Sequence, residues 1–306
     1  MAVRSTVIPR APGPLATHWR YRPDGLPAFD PVVFDERALA ARGALAGGAA
    51  AGRGNTHFIV LEGHALVLRH YRRGGLVRHL SERRYVWTGL ARTRAVREFE
   101  LLRELESEGL PVPSPFACAV TRHGFLWSGS LVTRRLAGRT LAEILDDGGK
   151  APLPAPAVPW AAIGRCIARF HTAGIRHADL NAHNVLLDGD EVFLIDFDRA
   201  ARRHLSTSVV APAVAPTAAP GAAPGAAPET AAETVRAEAS TATVPPPRWQ
   251  SGNIARLRRS LVKLAGRGGR AFDIEGFAAL EEAWRAALSS GQGSVGHGAP
   301  SPSAAR

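Results

Sequence analysis

With 306 residues, 45% of them hydrophobic, the chain is long enough for one large domain or two lobes with cores of their own. Its formal charge of +11 points to anionic partners such as nucleic acid, a phospholipid surface or a phosphorylated substrate. That charge is carried almost entirely by Arg in an Ala-rich chain, a pattern that GC-rich coding also produces, so it decides little by itself. The two cysteines, Cys118 and Cys166, lie in no CxxC or Cys/His pattern; neither a zinc site nor a disulfide framework is expected, and a reducing compartment fits. No run of about 18 apolar residues occurs, which excludes a helical membrane span.

The first segment, Met1 to Arg20, is interrupted by Pro9, Pro12 and Pro14 and has no long apolar run. No signal peptide is expected, and residues 1–30 read as a Pro-rich, loosely ordered stretch. A strand over His57–Leu61, a tight turn at Glu62-Gly63-His64 and a return strand over Ala65–Arg69 follow. Val96, Phe99, Leu102 and Leu105 recur at helical spacing between Thr93 and Glu108, with Gly109 closing the helix and Pro111 forbidding its continuation. Two further strands flank a His123-Gly124 turn, the second running from Phe125 to Thr133. Helices are expected from Leu141 and over Trp160–His171, then a hairpin of Val185–Leu187 with Val192–Ile195. Residues 206–247 are mostly Ala, Pro, Thr and Ser and cannot bury a core, which predicts a flexible linker. Ile254, Leu257, Leu261 and Leu264 then mark one face of a basic helix that begins near Trp249.

The chemistry lies in His177-Ala178-Asp179-Leu180-Asn181-Ala182-His183-Asn184, a match to H-x-D-L-x-x-x-N. Phosphoryl transfer needs a carboxylate to take the proton of the attacking hydroxyl, here Asp179, and an amide five residues on, Asn184, to turn back and hold a metal on the phosphates. His177 would pack beneath the loop and fix it. Twelve residues after Asn184, Asp196 ends the apolar strand of Leu194-Ile195-Asp196-Phe197-Asp198, a position that suits the second metal ligand. An Asp after a strand is usually a turn or cap residue; the two motifs at hairpin spacing carry the argument together.

Upstream pieces stand in matching order. Gly52-Arg53-Gly54 before the first strand has the form of a glycine-rich turn over phosphates, although G-x-G alone is more often a plain loop. Arg69 stands where kinases place the phosphate-binding Lys; a guanidinium binds phosphate bidentately, but the two side chains are not interchangeable. Glu98 is placed to pair with Arg69, with Glu100 as a rival on the same helix. The strand ending at Thr133 runs into a hinge at Arg134-Arg135-Leu136, where backbone groups would hold adenine and Arg135 joins the nucleotide-binding set.

These motifs, with Leu68-Arg69-His70-Tyr71-Arg72-Arg73-Gly74-Gly75-Leu76, Ile195-Asp196-Phe197-Asp198-Arg199 and Trp249-Gln250 followed by Asn253–Leu257, resemble the 3-deoxy-D-manno-octulosonic acid (Kdo) kinase family of lipopolysaccharide synthesis. The likeness covers about residues 50–205 and 248–265, with the usual few-residue error at its ends. It implies an α+β, two-lobed protein-kinase-like fold with a small, mainly antiparallel β lobe carrying one helix and a mainly helical second lobe. It further implies ATP and Mg2+ as cofactors and a Kdo residue on a lipid A precursor as acceptor, phosphorylated at its 4-hydroxyl. The expected divisions are a Pro-rich segment (1–30), an N-lobe (31–137), a C-lobe with the catalytic loop (138–205), a linker (206–247), C-terminal helices (248–289) and a disordered tail (290–306).

Nine Arg and one acid, Glu82, fall between Arg69 and Arg97, and seven basic residues with no acid between Glu238 and Asp273. A sugar-acid carboxylate and lipid phosphates are anions such surfaces favour, although Arg runs are often plain solvated faces. The expected location is therefore cytoplasmic, peripheral on the inner face of the bacterial inner membrane, with no nucleic-acid partner because no aromatic-interleaved basic motif occurs. Two alternatives share these residues: a heptose kinase of the lipopolysaccharide core, and a pseudokinase-type binding protein.

Overall fold

The computed structural model describes residues 4–9, 15–22, 30–46, 56–71, 85–146, 158–203 and 246–292. The expected Gly52-Arg53-Gly54 turn, residues 206–245 of the expected linker and residues 293–306 of the expected tail lie outside this set.

A seven-stranded antiparallel sheet forms the N-lobe. Its strands are β1 (Arg4–Pro9), β2 (Leu15–Tyr21), β3 (Thr56–Leu61), β4 (His64–His70), β5 (Tyr85–Val86), β6 (Pro115–His123) and β7 (Leu126–Arg134). They are ordered β1-β2-β6-β7-β4-β3, with β5 also paired to β7. The β3–β4 turn is tight because Glu62 and Gly63 both take positive φ (49° and 79°), the conformation a two-residue hairpin with right-handed strand twist requires.

Residue alternation sorts this sheet into two covered faces. Leu66, Leu68 and Val132 pack with Val33 and with Leu39 of the short helix α1 (Glu36–Ala41). Cys118, Val120 and Leu131 face the other way, against Val96, Phe99, Leu102 and Leu105 of helix α2 (Arg94–Ser107). The apolar face of α2 is the one its 3.6-residue spacing predicts.

The expectation that residues 1–30 are loosely ordered is corrected by β1 and β2, which extend the N-lobe sheet at its N-terminal end. The prolines do not oppose this: Pro9 ends an edge strand, and Pro12 and Pro14 fall between the strands. β2 pairs with β6 from Leu15↔His123 to Tyr21↔Ala117. Ion pairs of Arg20 with Glu100 and of Arg22 with Glu106 tie it to α2.

The C-lobe holds the short strand β8 (Arg139–Thr140), α3 (Leu141–Leu145), α4 (Trp160–Thr172), β9 (Ile175–Arg176), the hairpin of β10 (Val185–Asp188) and β11 (Glu191–Leu194), β12 (Ala201–Arg202), α5 (Arg248–Arg267) and α6 (Ile274–Gln292). The last helix runs past the expected tail boundary at residue 290. Thr140 caps α3 with a reciprocal Glu143 contact, which fixes where that helix starts. α4 and α6 pack closely because Gly164 has no Cβ; one built there would run into the carbonyl oxygen of Leu280. Both cysteines are free and buried, and burial pushes their thiols up to about 12, which disfavours the reactive thiolate. The fold is α+β and two-lobed, with α2 the one long helix on the N-lobe sheet among the described residues.

Candidate active site

Asn184 ends a one-turn 3₁₀ segment and leads directly into β10; its carbonyl accepts from the Ile195 amide at 3.0 Å. The register Val185↔Leu194 therefore brings Asn184 to the strand end that carries Asp196. Two side-chain amides, Asn181 and Asn184, each donate to the Asp179 carbonyl at 2.8 Å, which fixes the turn that presents the Asp179 carboxylate. Beneath the loop, His177 Nε2 donates to the Ile195 carbonyl (3.0 Å), and its ring meets Phe197 edge-on at 5.0 Å. Burial lowers the His177 pKa, so the ring is neutral and Nε2 carries its hydrogen. Asp196 has φ +64°, a strained conformation that Asp tolerates better than most residues and that marks functional positions.

Five charged groups from both lobes meet here, Arg69, Glu98, Asp196, Arg94 and Asp198. Arg69 on β4 pairs with Glu98 of α2 and with Asp196. Glu98 is almost fully buried, accepts from the Tyr71 hydroxyl at 2.6 Å, and takes the Phe197 amide at 3.1 Å. One turn earlier on α2, Arg94 pairs with Asp198 and donates to the Tyr85 hydroxyl at 2.9 Å. Positions 94 and 98 lie on one helix face, so α2 clasps the Asp196-Phe197-Asp198 backbone from the N-lobe. Glu100, the sequence rival of Glu98, instead pairs with Arg20. Burial raises the Glu98 pKa while the Arg69 charge opposes it; Glu98 and Asp196 together raise that of Arg69 well above its ordinary value despite burial.

Of the residues singled out from sequence, Arg69, Glu98 and Asp196 are joined by ion pairs, and His177, Asp179 and Asn184 belong to the loop bonded to the strand end that carries Asp196. Arg135 is not among these contacts: its guanidinium lies over the Phe58 ring at 4.1 Å, and its amide donates to the Ala65 carbonyl at 3.0 Å. The donor set fits a hard cation, since Asp196 and Asn184 offer a carboxylate and an amide oxygen of the kind Mg2+ prefers.

Sequence reasoning assigned no role to four further residues. Tyr71 lies two residues beyond Arg69 in the alternation of β4, a signal that was available. Asn253, Arg256 and Ser260 lie on α5, far along the chain. The Asn253 amide donates to the His177 carbonyl (2.8 Å) and accepts from its amide (3.2 Å); Ser260 Oγ accepts from Ala182 N at 3.2 Å. Between them Arg256 forms an ion pair with the Asp179 carboxylate. α5 is thus laid along the whole catalytic loop.

The anchor of α5 is polar and buried. His171 is 1% exposed, accepts on Nδ1 from Trp284 Nε1 at 2.9 Å, and faces Asn253 Oδ1 through Nε2 at 3.3 Å. Burial lowers its pKa to about 4, so the folded protein holds it neutral. The unfolded chain takes up that proton near the ordinary value of about 6.5. The contribution of His171 to stability is therefore complete above pH ~6.5 and is lost as pH falls through about 4, on the order of 3 kcal/mol. Urea unfolding at a series of pH values should show the wild type losing that much more than His171→Gln across this window; parallel curves would contradict a neutral buried ring.

A sequence profile described as the lipopolysaccharide kinase (Kdo/WaaP) family matches residues 38–208. A protein of Xylella fastidiosa (strain M23) named 3-deoxy-D-manno-octulosonic acid kinase is 38% identical over 217 residues, 70% of this chain and 69% of that protein. A relative of the same name from Xanthomonas axonopodis pv. citri (strain 306) is 37% identical over 245 residues, 79% of this chain and 80% of its own length. A third, from Xanthomonas campestris pv. campestris (strain B100), is 38% identical over 218 residues. The profile spans the loop of Asp179, the Arg69–Glu98 pair and Asp196, and more than half of the chain with it; the chain belongs to the lipopolysaccharide kinase (Kdo/WaaP) family.

Proposed function

We propose that this protein transfers the γ-phosphoryl group of ATP to the 4-hydroxyl of a Kdo residue on a lipid A precursor. The observation that carries the reading is the meeting of the Asp179–Asn184 loop, Asp196 and the Arg69–Glu98 pair in this chain, whose relatives bear the name 3-deoxy-D-manno-octulosonic acid kinase. Asp179 orients the acceptor hydroxyl and takes its proton. Asn184 and Asp196 would hold Mg2+, which neutralises charge on the phosphate oxygens when bound. Arg69 exchanges part of its pairing with Asp196 for phosphate, while Glu98 keeps its guanidinium in place. His177 supports the loop, and Arg135 would serve the nucleotide hinge through its backbone, its guanidinium lying over Phe58.

Arg256 supports an acidic acceptor. A guanidinium at the side of the base is suited to a sugar carboxylate close to the attacking hydroxyl, and a heptose offers no carboxylate. Arg256→Gln should raise KM for the Kdo acceptor about tenfold or more with a smaller change in kcat, a loss of order one charged hydrogen bond. Steady-state kinetics with acceptor varied at saturating ATP checks this. An unchanged KM would remove Arg256 from acceptor binding.

Association with the membrane would be peripheral and electrostatic. No described helix is long and apolar enough to cross a bilayer, and Arg258, Arg259, Lys263 and Arg267 are exposed on α5. Each basic residue near an anionic surface contributes about 1 kcal/mol, screened over about 8 Å at physiological salt. Binding to anionic vesicles should fall steeply with added salt; retention at 1 M salt (Debye length about 3 Å) would exclude an electrostatic attachment.

The test of function is an assay with γ-labelled ATP offering Kdo-lipid IVA and a heptosylated lipid in parallel. Label should enter the first; label in the heptosylated lipid alone would favour a heptose kinase, and label in neither a nucleotide-binding protein without transfer.

A further inference from the structure

On the sheet face opposite Arg69, three side chains from three elements converge. Glu36 is the first residue of α1, His57 lies on β3 and His70 on β4. Glu36 Oε1 is 2.9 Å from His70 Nε2 and 3.4 Å from His57 Nε2, and the three donor atoms all lie within 4.8 Å of one another. We propose that Glu36, His57 and His70 bind one divalent transition-metal ion of the zinc type, with water completing its coordination.

The spacing is the first argument. Zinc–nitrogen and zinc–oxygen bonds of about 2.0–2.2 Å in a tetrahedron place neighbouring ligand atoms about 3.3–3.5 Å apart. The His57 contact to Glu36, 3.4 Å, falls in that range, and the His70 contact, 2.9 Å, lies a little below it. The donor types are the second. Two imidazoles and a carboxylate suit Zn2+, and also Ni2+, Cu2+ and Fe2+, whereas Mg2+ prefers an all-oxygen shell.

Preorganisation is the third. His57 lies opposite Leu68 in the β3–β4 register, and His70 follows Leu68 by two residues, so both rings stand on one face of the hairpin. Their centroids are 6.0 Å apart, edge to face. Glu36 is held over them by α1, whose start is capped by Asp35 accepting from Arg37 N (3.0 Å) and Ala38 N (3.1 Å) and whose Leu39 is fully buried. His70 Nδ1 is 2.6 Å from Ser130 Oγ on β7. With its hydrogen on Nδ1, His70 donates to that hydroxyl and keeps the Nε2 lone pair on the side of Glu36, the outer partner that metal-binding imidazoles ordinarily have. The expectation of no zinc site rested on cysteine patterns, which a His/His/Glu set spread over three elements does not display.

An ion bound here would fasten α1 to the hairpin that carries Arg69, on the face away from the phosphates. It would stabilise the N-lobe without touching the reacting atoms.

The test uses the full chain, stripped with EDTA and dialysed. Titration with Co2+ followed by visible absorption, and with Zn2+ by calorimetry, should show one equivalent bound with the strong absorption of four-coordinate cobalt. Glu36→Gln and His57→Gln should each lower Zn2+ affinity about 100-fold, while Asp196→Asn, at the catalytic cation site, should leave it unchanged. At a hundredfold excess of Zn2+ over its Kd, Tm should rise by about 5 °C or more in the wild type and not in either triad variant. Both replaced side chains are partly exposed in the wild type, and melting curves in EDTA establish that each variant is folded. Equal affinity in wild type and both triad variants, or loss of binding in Asp196→Asn, would overturn the site and leave an ordinary Glu–His ion pair.

Discussion

Asp179→Asn should lower kcat about 10³-fold while the Kd for Mg-ATP stays within about threefold of wild type. General base catalysis by a positioned side chain contributes about 10²–10⁴ in rate, and Asn keeps the shape of Asp179 but cannot take the proton. The loop geometry should survive the change, because the Asp179 carbonyl still receives Asn181 and Asn184, and the amide that replaces the carboxylate keeps an oxygen for Arg256. Nucleotide affinity should also survive, because the cation and phosphate groups belong to Asn184, Asp196 and Arg69. Asp196→Asn provides the contrast: it should weaken nucleotide binding and kcat together, with partial recovery at high Mg2+. Calorimetric ATP binding and single-turnover rates separate the two patterns. A near-normal rate for Asp179→Asn would remove the base from the mechanism.

Glu98→Gln should cost activity and stability at once. The carboxylate of Glu98 is buried and serves Arg69, the Tyr71 hydroxyl and the Phe197 amide. An amide of the same shape keeps one acceptor oxygen but removes the charge that faces Arg69. Breaking a fully buried ion pair costs about 3–5 kcal/mol; Arg69 keeps Asp196 and is partly exposed, so about 2–3 kcal/mol is expected here. Tm should fall by about 5–10 °C. The same change loosens the hold of α2 on the Asp196-Phe197-Asp198 backbone, leaving the Arg94–Asp198 pair as its main tie, so kcat/KM for ATP should fall about 100-fold, since small misplacements of positioning groups carry losses of that size. Thermal melts and steady-state kinetics on one preparation check both. A variant that loses activity with an unchanged Tm would show that Glu98 acts on the nucleotide and not on the fold around Arg69.

The active-site frame was legible because its pieces are local in sequence. The H-x-D-L-x-x-x-N spacing places Asp179 and Asn184 in one turn, and the short β10–β11 hairpin returns the chain to Asn184 at Asp196. The helical period of Val96, Phe99, Leu102 and Leu105 fixes which way Glu98 points. What escaped is long-range or short. β1 and β2 join the sheet through β6, about a hundred residues away, and their prolines disguise them. α1 is six residues long, too short for periodicity to register. The contacts of Asn253 and Arg256 with the catalytic loop cross 76 and 77 residues. A helical face at that distance shows that it is buried, but not against what.

The central claim is that the cleft moves a phosphoryl group from ATP to a Kdo hydroxyl. Its most direct measurement is phosphorus–proton correlation NMR on the product of Kdo-lipid IVA, ATP and Mg2+ incubated with the full-length protein, with Asp179→Asn as the matched control. The expected result is one new phosphomonoester coupled to the proton on carbon 4 of Kdo, absent with the variant. A new phosphate on the glucosamine backbone, equal product from Asp179→Asn, or no transfer to a verified acceptor would contradict it.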